Sequence, residues 1–195
     1  MMVVADSPER LASLEQMVRG TDCDVTTIAA ADDHMPSLVR QAEPDLILIS
    51  VNVPGERLMD QIAAVMRETP LPIVLCTPAA FSPMIDSAVQ AGVSAYLTDP
   101  PPGGALRPII DFAFAQFQQR QAMKQELETT RGDLRDRKLI ERAKGMLMTQ
   151  RSLSEPEAYR TLQKLAMDRK RRLADVARDV LEMAELLVSK HRNDP

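Results

Sequence analysis

Cysteine is nearly absent from this 195-residue chain. Cys23 and Cys76 are the only two, too few and too isolated for a disulfide framework or a metal cluster. His34 and His191 have no partners at metal-ligand or catalytic spacing. No nucleophile–base pair, phosphate loop or metal constellation is visible, so an enzyme is not expected, and neither a cofactor nor a metal. No run approaches the roughly 18 uninterrupted apolar residues of a membrane span. The opening MMVVADSPER lacks the basic segment and cleavage site of a secretory signal, so a cytoplasmic protein without membrane attachment is expected. Tryptophan is missing, and Tyr159 is the only aromatic residue beyond Phe117. Lysine is missing from the first 112 residues, which carry 6 Arg against 15 acids, a net charge of −9. Residues 113–195 carry 18 bases against 13 acids, a net charge of +5. Such a split points to two modules with different partners and makes the basic half the candidate for nucleic acid.

The first half alternates between two patterns. Short β-rich runs, MVVA (2–5), DVTTIA (24–29), DLILIS (45–50), PIVLC (72–76) and SAYLT (94–98), are separated by stretches with helical apolar spacing. Five strands alternating with helices predict a parallel sheet covered on both faces. The carboxyl ends of its strands, at Asp6, Ser50 with Asn52, Thr77 and Asp99, are where ligand or switch chemistry belongs.

DPPPGG (99–104) breaks this pattern, and a long helical stretch over roughly 106–150 follows, with Gly132 and Gly145 inside it. Met123, Leu127, Thr130 and Leu134 recur at spacings of four, three and four, an a/d-like seam on an otherwise polar helix. A stripe on so polar a helix predicts dimerisation. Ser154-Glu155-Pro156-Glu157 then reads as a capping box that starts a helix, and a last helix follows near 173.

Between 135 and 172 stand 12 bases and 5 acids, a net charge of +7, enough to hold several phosphates. The expected nucleic-acid contacts are Arg142, Lys144, Arg151, Arg160, Lys164 and the cluster Arg169, Lys170, Arg171 and Arg172. Tyr159 is placed either against an unpaired base or in the small core. Gly145, costly inside a helix, suggests a close approach by another helix or by RNA backbone. The last helix carries Asp175, Asp179, Glu182 and Glu185 against one internal base, Arg178, a poor reader of a DNA groove. The distribution suits hairpin RNA. The alternatives are a DNA-binding response regulator and a protein-interaction adaptor that binds no nucleic acid.

Two family resemblances rest on particular motifs. VADSP (4–8), ILIS (47–50), LCTP (75–78) and YLTDP (96–100) resemble the switch positions of response-regulator receivers. In receivers an acidic pair and an aspartate hold Mg²⁺, the aspartate takes the phosphoryl group, and a lysine neutralises it. Here the acidic pair is reduced to Asp6, the acceptor position is Ser50, Thr77 is retained, and Asp99 replaces the lysine. The resemblance therefore implies a degenerate pocket and a pseudo-receiver. RAKGMLM (142–148), EAYRTL (157–162), KLAMDR (164–169) and LADVA (173–177) resemble the ANTAR module, the RNA-binding domain of bacterial transcription antiterminators. The whole arrangement looks like the AmiR/NasR group and, within it, most like the NasT-type regulators of nitrate and nitrite assimilation.

The implied fold is α/β plus all-α. It has a flavodoxin-like, five-stranded pseudo-receiver over 1–112, a connecting coiled-coil helix over 113–137 and a three-helix ANTAR bundle over 138–190. The implied partners are hairpin leader RNA, a second copy of the chain, and a ligand-sensing protein related to solute-binding proteins that detects nitrate, nitrite or an amide.

Overall fold

The computed structural model describes residues 1–19, 21–31, 33–78, 82–98 and 106–191. It divides into two compact units, Met1–Ala122 and Met123–Pro195.

In the first unit, β1 (Met2–Ala5), β2 (Thr27–Ala30), β3 (Ile47–Ser50), β4 (Ile73–Thr77) and β5 (Ala95–Thr98) form one parallel sheet in the order β2-β1-β3-β4-β5. This is the doubly wound, flavodoxin-like order, which leaves a crevice at the carboxyl ends of β1 and β3. The crossovers run through α1 (Pro8–Val18), α2 (Met35–Ala42), α3 (Glu56–Glu68) and α4 (Ser82–Ala91). A parallel sheet buries both faces, which is why its strands carry so few polar residues. Val4, Ile49 and Leu75 pack with Val39, Ile62 and Val65 beneath α2 and α3. Val3, Leu48 and Val74 pack on the other face with Leu14 of α1 and with Leu106, Ile110 and Ala113, the opening residues of α5 (Leu106–Arg151). Each fully buried aliphatic side chain contributes about 1.5–3 kcal/mol.

β2 begins three residues later than the run DVTTIA suggests. The Asp24 carbonyl accepts from the Met1 ammonium at 2.9 Å instead of joining the ladder. Gly92 closes α4 with φ +108°, and a Cβ there would lie 2.8 Å from Met66 Cγ, so glycine is required both by backbone and by space.

α5 runs unbroken through Gly132 and Gly145, and a Cβ at either position would meet nothing within 4 Å. Among the described residues, no other part of the chain presses on Gly145. In the second unit, the end of α5 packs with α6 (Glu155–Arg169) and α7 (Leu173–His191) around Ala143, Leu147, Ala158, Leu162 and Ala177. The capping box forms: the Glu157 carboxylate accepts from the Ser154 amide at 2.8 Å and from its hydroxyl at 2.6 Å, with Pro156 in the first turn. Those two donors hold the Glu157 carboxyl below its usual range. α6 stops at Lys170 in the left-handed conformation (φ 51°), where the Arg171 amide returns to the Ala166 carbonyl at 3.0 Å. Among the described residues, no helix is long and apolar enough to cross a membrane.

Candidate functional site

The crevice at the ends of β1 and β3 holds a guanidinium. Pro8 and the Ser7 cap start α1 directly after β1, so Arg10 on its first turn is aimed back over the strand ends. Its Nη1 donates to Ser50 Oγ at 2.8 Å, and its Nε to Asn52 Oδ1 at 3.0 Å and lies 3.9 Å from Asp6 Oδ1. Asp6 also accepts from the Asn52 amide at 2.6 Å. Asp6, Ser50 and Asn52 are thus drawn together, with Arg10 as the resident cation between them. Ser50 is buried, and its oxygen accepts from Arg10; among the described residues no general base bonds to it. A fixed guanidinium repels a divalent cation from the carboxylate that would otherwise anchor it. Thr77 is buried at the end of β4, its hydroxyl sharing a hydrogen bond with the Tyr96 hydroxyl at 2.9 Å. Asp99, the fourth residue expected here, lies outside the described residues. Beneath the crevice, burial pushes the Cys76 thiol up to about 12, against the opposing field of Arg10. Cys76 is therefore a core residue and not a nucleophile.

Most of the bases expected to contact nucleic acid fall into three groups. Lys144 is buried, and its ammonium donates to Glu155 at 2.7 Å and to both Glu141 oxygens at 3.0 Å, 5.9 Å from the centre of the Tyr159 ring. Those carboxylates raise the Lys144 pKa, and Lys144 lowers that of Glu155, first by hydrogen bonding and then by charge. Lys144 thus ties α5 to the start of α6, and its donors face protein rather than solvent.

A second group is exposed but paired. Arg171 donates to Asp179 at 2.6 Å, Arg169 lies 3.6 Å from the same carboxylate, and Arg172 pairs with Asp136. Exposed pairs of this kind contribute roughly 0–1 kcal/mol each, so they hold the joint between α6 and α7 loosely. The third group, Arg151, Lys164 and Lys170, is exposed and has no acidic partner among the described residues. Arg142 and Arg160 are also exposed. Arg160 and Lys164 are four apart on α6, so they share one face, and Met167, 78% exposed, continues it. Tyr159 is exposed (38%) and stands outside the small core, with Lys144 over its ring, so its placement in that core is not what the structure has.

Arg10 is the residue that sequence reasoning missed. Its one signal is a position four residues after Asp6, weak because helical i,i+4 pairs are common.

The two units correspond to two known domains. Residues 1–111 match the response regulator receiver domain and residues 128–181 match the ANTAR domain, and the chain belongs to the family of regulators that join the two. It is 32% identical over 169 residues to the transcriptional regulatory protein PdtaR of Mycobacterium tuberculosis, covering 87% of this chain and 82% of that one. It is 37% identical over 80 residues to the nitrate regulatory protein of Klebsiella oxytoca, covering 41% of this chain and 20% of that one. Solved structures with the same fold as the first unit include a CheY-like receiver domain protein from Methanospirillum hungatei JF-1 (TM-score 0.52, 18% identity, 61% of this chain and 95% of that one). Another is the signal receiver domain of a modulated diguanylate cyclase from Desulfovibrio desulfuricans G20 (TM-score 0.50, 19% identity, 61% of this chain and 97% of that one). The family is a regulatory one.

Proposed function

We propose that the protein is an RNA-binding transcription antiterminator. Its ANTAR bundle binds paired stem-loops in leader mRNA, acts as a homodimer, and lets polymerase read through into the operon downstream. The observation that carries this reading is the exposed, acid-free set Arg151, Lys164 and Lys170, with Arg160 beside Lys164. Free cations on one small bundle suit phosphates, and the acidic α7 suits no DNA groove. The loosely paired Arg169, Arg171 and Arg172 add contacts once phosphate displaces Asp179 and Asp136. Two bundles on one dimer engage two hairpins, and the second contact gains from effective concentration.

Control runs through protein binding and not through phosphate. Arg10 occupies the pocket in which Mg²⁺ and a phosphoryl group would need to meet, and the acceptor position is a serine. The partner is a ligand-sensing protein that sequesters the regulator and releases it on binding its own ligand, a population shift between two forms. The likeness to a nitrate regulatory protein favours nitrate or nitrite as that ligand, as in the NasT-type regulators that the motifs resemble.

A titration of full-length protein with a two-hairpin leader RNA, a single hairpin and a duplex DNA, at two salt concentrations, tests the reading. Preferential, salt-sensitive binding of the double hairpin is expected. Equal binding to all three would reduce the basic half to an unspecific charge patch, and no binding would favour the adaptor reading.

A further inference from the structure

One carboxylate of the second unit is gripped by two arginines. Arg171 presents its fork to Asp179: Nη1 donates to Oδ2 at 2.6 Å and Nη2 to Oδ1 at 3.5 Å. Nη1 of Arg169 lies 3.6 Å from the same Oδ2. Arg169 ends α6 and Arg171 follows Lys170, whose left-handed conformation reverses the chain and lets both guanidiniums reach one point. Asp179 is held in place because its neighbours on α7, Ala177 and Val180, pack in the core with Ala143 and Leu162. Both arginines are exposed and Asp179 is half-buried. Lys170, between the two arginines in sequence, is exposed with no acidic partner among the described residues.

Two guanidiniums converging on one anion, one of them through a two-point fork, is the geometry in which arginine binds a phosphate group. Here the anion is a carboxylate of the chain itself. A carboxylate carries a single negative charge on two acceptor oxygens, and a phosphodiester matches it on both counts, so either fits the same fork. Building on the RNA reading, we propose that Arg169 and Arg171 form a phosphate clamp closed by Asp179, which stands in the place of an RNA phosphate and lowers affinity until it is displaced. Opening the clamp breaks only exposed ion pairs, which are weak, and Asp179 itself lies outside the core cluster. Without Asp179, two positive charges face each other with no anion between them, and the potential there favours phosphate more strongly. Asp179 thus sets a threshold. An isolated phosphate competes poorly with a tethered carboxylate, whereas a hairpin already held by Arg151, Lys164 and Lys170 brings its phosphates at high effective concentration.

Asp179→Asn in the full-length protein keeps the size of the side chain and removes its charge. Glu182→Gln makes the same charge change one turn further along α7, at an exposed residue with no ion-pair partner among the described residues. Single-hairpin RNA is expected to bind Asp179→Asn about three- to tenfold more tightly than the wild type, with a steeper salt dependence, because no freed carboxylate recovers a counterion. Glu182→Gln is expected to change affinity by less than about twofold, since its charge acts only through screening solvent. In an Arg169→Ala, Arg171→Ala background the gain from Asp179→Asn is expected to vanish. Pyrophosphate supplies a readout without RNA. The arginine side-chain N–H signals in NMR spectra of Asp179→Asn are expected to shift at about three- to tenfold lower pyrophosphate than those of the wild type. Unchanged or weaker RNA binding by Asp179→Asn, a gain no larger than that of Glu182→Gln, or a gain that persists without the two arginines would overturn the clamp and leave the RNA reading standing. If none of the proteins binds the RNA while pyrophosphate separates Asp179→Asn from the wild type, the RNA reading fails and the clamp stands as a phosphate site. If pyrophosphate does not separate them either, both fail.

Discussion

Arg10 donates to the buried Ser50 hydroxyl at 2.8 Å across 40 residues of sequence, and so places a fixed positive charge at the mouth of the receiver crevice. The position that takes a phosphoryl group in a working receiver is here a hydrogen-bond acceptor for an arginine. The crevice is thus satisfied from within the chain.

Removal of Arg10 leaves Ser50 and Asn52 without that donor. Arg10→Ala is expected to lower the unfolding free energy of the receiver by about 1–3 kcal/mol, read by denaturant titration of the full chain. Ser50→Asp is expected to raise it instead, by giving the guanidinium a second, closer carboxylate partner beside Asp6. Intact mass after incubation with a small-molecule phosphodonor and Mg²⁺ is expected to show no phosphoprotein for the wild type or for Ser50→Asp. A phosphorylated wild type would refute control by protein binding alone.

The two kinds of glycine are expected to respond with opposite signs. Gly92→Ala forces a side chain onto a φ of +108° and into Met66, at a cost of about 1–3 kcal/mol. Gly145→Ala meets open space on a helix and is expected to stabilise the second unit by roughly 0.5–1 kcal/mol. Thermal melts of the two variants decide this. If Gly145→Ala also weakens RNA binding, the bare backbone is where the RNA approaches.

Lys144 lowers the Glu155 pKa, so folding favours the ionised carboxylate. The stabilisation is fully present above the ordinary Glu value and is lost as pH falls through the lower, folded one. Glu155→Gln is therefore expected to melt below the wild type at pH 7, with the gap closing in acid. A gap that stays constant with pH would mean that Glu155 acts by shape and not by charge.

Thiol labelling separates the two cysteines. Cys23 is half-buried at the surface, whereas Cys76 is fully buried with its thiol pushed up to about 12. One equivalent of a thiol reagent is expected to react with native protein at neutral pH, and two after unfolding. Two in the native state would place Cys76 in a far more open crevice.

The parts that were legible in the sequence are those set by local pattern. The runs at 45–50 and 72–76 announce strands because both faces of a parallel sheet are buried, and Ser154 with Glu157 announces a helix start because a capping box spans only four residues. The parts that were not legible depend on contacts across the chain. Arg10 acquires its role from Ser50, and Arg172 acquires its partner from Asp136, 36 residues away. Lys144 counts as one of the basic cluster by composition, yet Glu155, from the next helix, turns its charge inward. Net charge therefore overstates what is offered to a ligand: Arg151, Lys164 and Lys170 are exposed with no acidic partner among the described residues, whereas Arg169, Arg171 and Arg172 are paired.

The most direct measurement is the salt dependence of two-hairpin RNA binding for the wild type and for the triple variant Arg151→Ala, Lys164→Ala, Lys170→Ala. Loss of three phosphate contacts per bundle is expected to weaken binding at every salt concentration and to make the slope of log affinity against log salt shallower by roughly two to three for each bundle engaged. An unchanged affinity and an unchanged slope would contradict an RNA interface that uses these residues.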